Sequence, residues 1–569
     1  MVNSQNSIIV LVIAVFIAGC IESREQAPIE VAEIVPQSTV DDAITGTPVQ
    51  QSTPMTQPTV PAAKRDKFKS NSMPLATAYR YAADQSILFH EPPRIDRENY
   101  HHYKPNGVKV VAETPVSTFS IDVDTASYAN VRRMLVSEGR LPPSDAVRLE
   151  EMINYFGYSY PNPVSTTQPF SISTELAPTP WSDRHHLLQI GLKGFAPPVS
   201  ERPASNLVFL VDVSGSMQSR DKLGLVKKSL RLLVNQMTAE DRIALVVYAG
   251  AAGTVLEATP GNQRAKIMAA IDQLQAGGST HGSAGIKMAY TLAEQNKLKN
   301  GINRIIIASD GDMNVGTVST EALKNLIQRK RRTGISLSTL GFGSGNYNYA
   351  LMEQLADVGN GNAAYIDSLK EAQKVLVNEM QSTLLTIASD VKIQVEFNPA
   401  VVSEYRLIGY ENRLLNREDF SNDKVDAGDI GAGHTVTALY EVALVGKGGE
   451  RIAPLKYRTT QGQTFPASED IAFVKLRYKQ PGEATSIEIT ELISRDAMSA
   501  SIDNSSDDLR FAASVAGFGQ ILQGGTYTAD WGYPDALKLA RNSRGGDPHG
   551  YRSEFIHLIE LAQSLSSTN

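Results

Sequence analysis

The chain has 569 residues, is 42% hydrophobic and 20% charged, and carries a formal net charge of −7. That length calls for several domains, and the composition is that of a packed globular protein. The acidic balance gives no electrostatic pull toward nucleic acid, and a single cysteine, Cys20, excludes any disulfide within the chain.

Ile8 to Ala18 is an unbroken apolar run of 11 residues, closed by Gly19-Cys20. It is too short to span a bilayer and has the length of a signal-peptide core. Small residues ahead of a cysteine resemble a bacterial lipobox. The resemblance implies that residues 1–19 are a lipoprotein signal peptide and that Cys20 becomes the lipidated amino terminus. Ile21, not an aspartate, follows the cysteine. By the same resemblance this points to a cell-envelope lipoprotein of the outer membrane in a Gram-negative cell, facing the periplasm or the surface. Residues 20–74 hold seven prolines and one aromatic, Phe68. Such a stretch cannot bury enough apolar surface to offset its ordering entropy, and reads as a disordered tether with a reach of roughly 40 Å.

Residues 75–203 form an N-terminal flanking region of α+β character. "FSIDVDTASYANVRRMLVSEGRLPPSDAVRLEEMINYF" reads as a strand, a turn and two helices, and "FSISTELAPTPW" and "HHLLQIGLKG" alternate like strands. The strand followed by Asp122-x-Asp124 resembles the nucleophile loop of haloacid-dehalogenase-type phosphatases. That resemblance implies a Mg²⁺-dependent hydrolase using Asp122 and Asp124. The matching downstream Lys and acidic loop are missing. The plain alternative is a strand end with Asp124 capping the following helix.

Residues 204–388 change rhythm. "NLVFLVDVS", "RIALVVYAG", "INRIIIASDGD" and "ISLSTLGFG" are short, continuously apolar strands separated by amphipathic helices. In one of these helices Leu223, Val226, Leu230, Leu233 and Met237 recur every three or four residues. Strands without polar alternation argue for a doubly wound parallel sheet covered on both faces. In such sheets ligands bind beyond the carboxyl ends of the strands. There stand Asp212, Ser214 and Ser216, each two residues from the next, so that three oxygen groups can converge on one point. Hard divalent cations prefer oxygen ligands.

Asp-x-Ser-x-Ser after an apolar strand resembles the metal-ion-dependent adhesion site of von Willebrand factor type A domains. That family adds a Thr from a second loop and an Asp from a third, and Thr280 in "GGSTHGS" and Asp310 in "IIIASDGD" stand in those places. The resemblance implies Mg²⁺ (or Mn²⁺ or Ca²⁺). Ser214, Ser216 and Thr280 would touch it through hydroxyls, and Asp212 and Asp310 would act through water. It also implies an open ligand position that takes an Asp or Glu of a partner protein. The chain as a whole resembles bacterial von Willebrand factor type A lipoproteins. No nucleophile–base set or phosphate-binding glycine loop is visible. The expectation is therefore a binding module and not an enzyme. Its partners would be another protein and, through Cys20, the membrane, with no small-molecule substrate. A purely structural, metal-stabilised scaffold is the remaining alternative.

Residues 389–569 form a C-terminal flanking domain, β-rich and then helical. "DVKIQVEF", "HTVTALYEVALVG" and "IAFVKLRYK" alternate as antiparallel strands with one wet face, and "DDLRFAASVAGFGQIL" and "RSEFIHLIELAQSL" read as helices.

Overall fold

The computed structural model describes residues 97–163, 168–279, 282–311, 319–456 and 470–567. The expected signal peptide (1–19), Cys20, the tether (20–74) and Thr280 lie outside the described residues.

The N-terminal flank supplies β1 (Lys109–Val110), β2 (Val116–Ser120), α1 (Ala126–Val136), α2 (Leu149–Asn154), β3 (Phe170–Thr179) and β4 (Ser182–Gly194). The central region follows with β5 (Ser205–Asp212), α3 (Leu223–Val234), β6 (Arg242–Tyr248), β7 (Ala252–Pro260), α4 (Arg264–Gln273) and α5 (Gly282–Gln295). It continues with β8 (Ile302–Ser309), α6 (Thr320–Arg331), β9 (Ser336–Phe342), α7 (Tyr349–Val358) and β10 (Ala363–Ile366). The C-terminal flank holds β11 (Thr386–Phe397), β12 (Val402–Ile408), β13 (Gly428–Gly431), β14 (Thr435–Leu444), β15 (Asp470–Lys479) and β16 (Ser486–Ser494). Three helices end it, α8 (Asp507–Leu522), α9 (Tyr533–Asn542) and α10 (Tyr551–Ser566).

The central sheet runs β10-β9-β8-β5-β6-β7. Every neighbour pair is parallel except β6–β7, which is antiparallel at the edge. β5 is buried along its whole length. Its side chains alternate between two cores. Leu207, Phe209 and Val211 pack with α3 residues Leu223, Val226 and Leu230 on one face. Val208 and Leu210 pack with Ile286, Ala289 and Tyr290 of α5 on the other. Burying each of these large apolar side chains contributes about 1.5–3 kcal/mol, which explains why β5 has no polar face. α5 lies close on the sheet because Gly285 carries no side chain. A Cβ there would stand 2.9 Å from Leu210 Cδ1 and from Tyr248 Cβ. The result is the expected α/β fold, a doubly wound sheet with helices on both faces.

The two flanks interleave. One sheet runs β1-β12-β14-β4-β3, mixing strands from both ends of the chain, and β4 pairs antiparallel with β14 from His185↔Ala443 to Lys193↔Thr435. The second runs β13-β11-β15-β16, with β2 added onto β11. The two sheets share one core, in which Phe119, Ile190, Val395, Tyr440 and Val474 are buried together. α1, α2 and the three C-terminal helices form a further core against Leu187 and Leu439. α1 reaches across to the central region, where Ala126 and Ala129 join the core on the α5 face of its sheet.

Candidate metal centre

In the order β10-β9-β8-β5-β6-β7, successive connections run outward in opposite directions from the boundary between β5 and β8. In open α/β sheets such a switch point marks the crevice, beyond the carboxyl ends of the strands, where ligands bind. Asp212 is the last residue of β5, and Asp310 follows the last residue of β8. Both are fully buried.

Asp212 is held from three sides. Its Oδ1 accepts the Ser214 backbone N–H at 2.9 Å. Its Oδ2 accepts the Ser309 hydroxyl at 3.0 Å and the Tyr248 hydroxyl at 3.1 Å. Burial pushes its carboxyl above the usual range, against the opposing pull of these hydrogen bonds. The Ser214 and Ser216 hydroxyls lie 3.0 Å apart, with Ser214 buried and Ser216 half-buried. The loop preceding Thr280 is tied to them, since Gly277 N–H donates to Val213 O (2.7 Å) and Gly215 N–H to Gly278 O (3.0 Å).

This donor set fits a small hard cation. The two serine hydroxyls, hydrogen-bonded to each other at 3.0 Å, are neutral oxygens that such an ion accepts as ligands, with the carboxylates of Asp212 and Asp310 buried behind them. The structure brings Asp212, Ser214, Ser216 and Asp310 to one crevice; Thr280 lies outside the described residues.

Three groups around this crevice were not singled out in the sequence. Tyr248 ends β6 and Ser309 ends β8, and both give their hydroxyls to Asp212. Lys222, at the start of α3, places Nζ 3.0 Å from Asp310 Oδ2 and 2.7 Å from Asn346 Oδ1. A serine beside Asp310 was visible in "IIIASDGD", but Lys222 reads as an ordinary helix-start lysine.

A second acidic assembly surrounds the strand end at Asp122. Asp122, Asp124, Glu150, Glu151 and Glu353 are all buried. One oxygen from each of Asp122, Asp124 and Glu353 lies within 4.8 Å of the others, and the same holds for Asp122, Glu150 and Glu151. These spacings are close enough to hold a metal ion. A guanidinium already sits among them. Arg413 Nε donates to Asp122 Oδ2 at 3.0 Å and Nη2 to Asp124 Oδ2 at 3.3 Å, while Nη1 lies 2.9 Å from Asp357 Oδ1. Asn412 Nδ2 donates to Glu353 Oε1 at 2.6 Å, and Arg148 Nη2 to Glu150 Oε1 at 2.6 Å. Burial, with the Asp122 charge second, drives the Asp124 and Glu151 carboxyls well up, and burial drives Glu353 up to about 7.

Asp122 is thus turned inward, with Oδ1 on the Asp124 N–H (2.9 Å) and Oδ2 on Arg413. A phosphatase nucleophile has to face its substrate. Asp124 does not cap α1 with its side chain, since Thr125 holds the cap position without a side-chain bond and Asp124 Oδ1 accepts Ala363 N–H at 2.8 Å.

The von Willebrand factor type A domain family matches residues 206–379. A family described as von Willebrand factor matches 94–189, and one described as "Uncharacterized protein YfbK, C-terminal" matches 382–565. The YfbK protein of Escherichia coli (strain K12) is 45% identical over 476 residues, covering 82% of this chain and 81% of that one. Inter-alpha-trypsin inhibitor heavy chain H3 of Homo sapiens is 27% identical over 272 residues, covering 44% of this chain and 29% of that protein. Among solved structures, a von Willebrand factor type A protein from Catenulispora acidiphila is similar with a TM-score of 0.38 and 16% identity, over 68% of this chain and 89% of that one.

Proposed function

The chain belongs to the YfbK family of von Willebrand factor type A domain proteins, and from that premise we propose that it is an envelope-anchored module that captures a partner protein through a divalent cation. A von Willebrand factor type A domain is a protein-interaction module; the metal dependence, the acidic ligand and the anchor are our reading. The observation that carries it is the pair of serine hydroxyls 3.0 Å apart at the strand switch point, beside two buried carboxylates.

Ser214 and Ser216 would hold the cation through neutral oxygens, with Thr280 as the third hydroxyl. Asp212 and Asp310 supply charge from behind. The Ser309 and Tyr248 hydroxyls fix Asp212, and Asp212 fixes the Ser214 backbone, so the loop is set before any ligand arrives. When bound, Mg²⁺ supplies a positive charge that neutral hydroxyls compensate poorly, which favours an added carboxylate from outside. No general base is needed for capture, and we assign no catalytic role.

The test is a pull-down of envelope proteins on the full chain. A partner should be retained with Mg²⁺, and lost with EDTA or with Ser214→Ala. Retention that survives both treatments would place the contact elsewhere. The anchor is checked separately. Mass spectrometry of the mature amino terminus should find acylated Cys20, and an unmodified terminus would remove that part of the proposal.

A further inference from the structure

A buried carboxylate needs a counter-charge or a proton. At Asp310 the chain provides an ammonium of its own. Lys222 Nζ donates to Asp310 Oδ2 at 3.0 Å, and its side chain is only 9% exposed. The same Nζ donates to Asn346 Oδ1 at 2.7 Å, and Asn346 Nδ2 donates to the same Asp310 oxygen at 3.0 Å. The three side chains close a triangle around the Asp310 carboxylate, whose charge is felt at Asp212.

The loop after β9 is shaped around this lysine. Gly343 has φ +77°, and a Cβ there would stand 2.3 Å from Lys222 Cγ and Cε. Both the backbone angle and the space restrict the position to glycine. A lysine that merely happened to lie nearby would not have a glycine-only position cut to its stem.

We propose that Lys222 is a resident cation of the metal centre. It balances Asp310 when no divalent ion is bound and competes with the ion when one arrives. This rests on the metal-site reading above. Two positive charges in one crevice repel, so Lys222 lowers the affinity for metal. Asn346 lets the ammonium give up Asp310 without losing all its partners, since its carbonyl already accepts from Nζ. The protein therefore keeps its fold without metal, and the centre fills only where divalent cation is plentiful. A lysine serving only as a strut for Asp310 would have the opposite effect, because removing it would weaken metal binding.

Titration calorimetry of Mg²⁺ into the full chain separates the two. Lys222→Met and Lys222→Gln should each bind Mg²⁺ at least tenfold more tightly than wild type. Both should lose thermal stability in EDTA and regain it with Mg²⁺, while wild type, whose Asp310 keeps the Lys222 ammonium without metal, should shift less between the two conditions. Unchanged or weaker binding in both neutral variants, with wild-type binding intact and weakened at least tenfold by Asp212→Ala, overturns the role of Lys222 and leaves the metal site standing. No Asp212-dependent binding in any of the proteins overturns both.

Discussion

Arg413→Ala is expected to destabilise the protein by about 3–5 kcal/mol, the range for removing one partner of a buried ion pair. It should be read as a drop in the midpoint of the first urea transition. The guanidinium lies within hydrogen-bonding or ion-pair distance of Asp122, Asp124, Asp357 and, at 3.8 Å, Glu353. These acids come from the N-terminal flank and from α7 of the central region, and Arg413 comes from the C-terminal flank, so the cluster joins all three. With the arginine gone, buried carboxylates face one another with no cation between them. They then bind protons more readily, and the loss should shrink as the pH is lowered from 8 toward 5. Arg413→Lys keeps the charge but not the fork that reaches several acids at once, and should recover only part of the loss. An unchanged urea midpoint in Arg413→Ala would mean that the cluster adds nothing to stability.

Asp212→Ala should weaken Mg²⁺ binding on the order of 10–100-fold, the usual effect of losing a partner that orients metal ligands. The effect has two sources. The carboxylate supplies negative charge, and it fixes the Ser214 backbone through a 2.9 Å hydrogen bond. Alanine also leaves the Ser309 and Tyr248 hydroxyls without their buried acceptor, at about 1–3 kcal/mol for each group left unsatisfied. Asp212→Asn separates these contributions, because its amide oxygen can still accept while its charge is gone. Calorimetric titration of both variants should find Asp212→Asn weakened in metal binding but nearer wild type in thermal stability. Metal affinity unchanged in both would remove Asp212 from the centre.

The parts of the molecule legible in the sequence are those set by local burial. β5 shows itself because both its faces are covered, so its polar residues are pushed to its end, where the site lies. The period of Leu223, Val226, Leu230 and Leu233 marks α3 for the same reason, and all four are buried against the sheet. What the sequence hides are pairings between distant residues. Lys222 and Asn346 are 124 positions apart, and nothing in either neighbourhood announces the other. Arg413 lies 291 positions after Asp122. Without that arginine in view, two acids after a strand resemble an enzyme's nucleophile loop; with it, they form an ion cluster. The pairing of β2 with β11 and of β4 with β14 was equally hidden, and the wet face expected of β14 is absent, since that strand is buried along its whole length between the sheets and helices that cover it.

The interleaving of the flanks sets a timetable for a chain made from its amino end. β3 and β4 leave the ribosome before any residue of β12 or β14 exists, and the whole central domain must be synthesised between Gly194 and Thr386. Until then, β4 holds one long edge without its eventual neighbour, an edge open to pairing with another chain. The central region holds all six strands of its own sheet. Once folded, it brings the end of β4 and the start of β11 together, which lowers the entropic cost of joining the flanks. The domain that carries the candidate metal centre thus also acts as the clasp that lets the two ends of the chain meet.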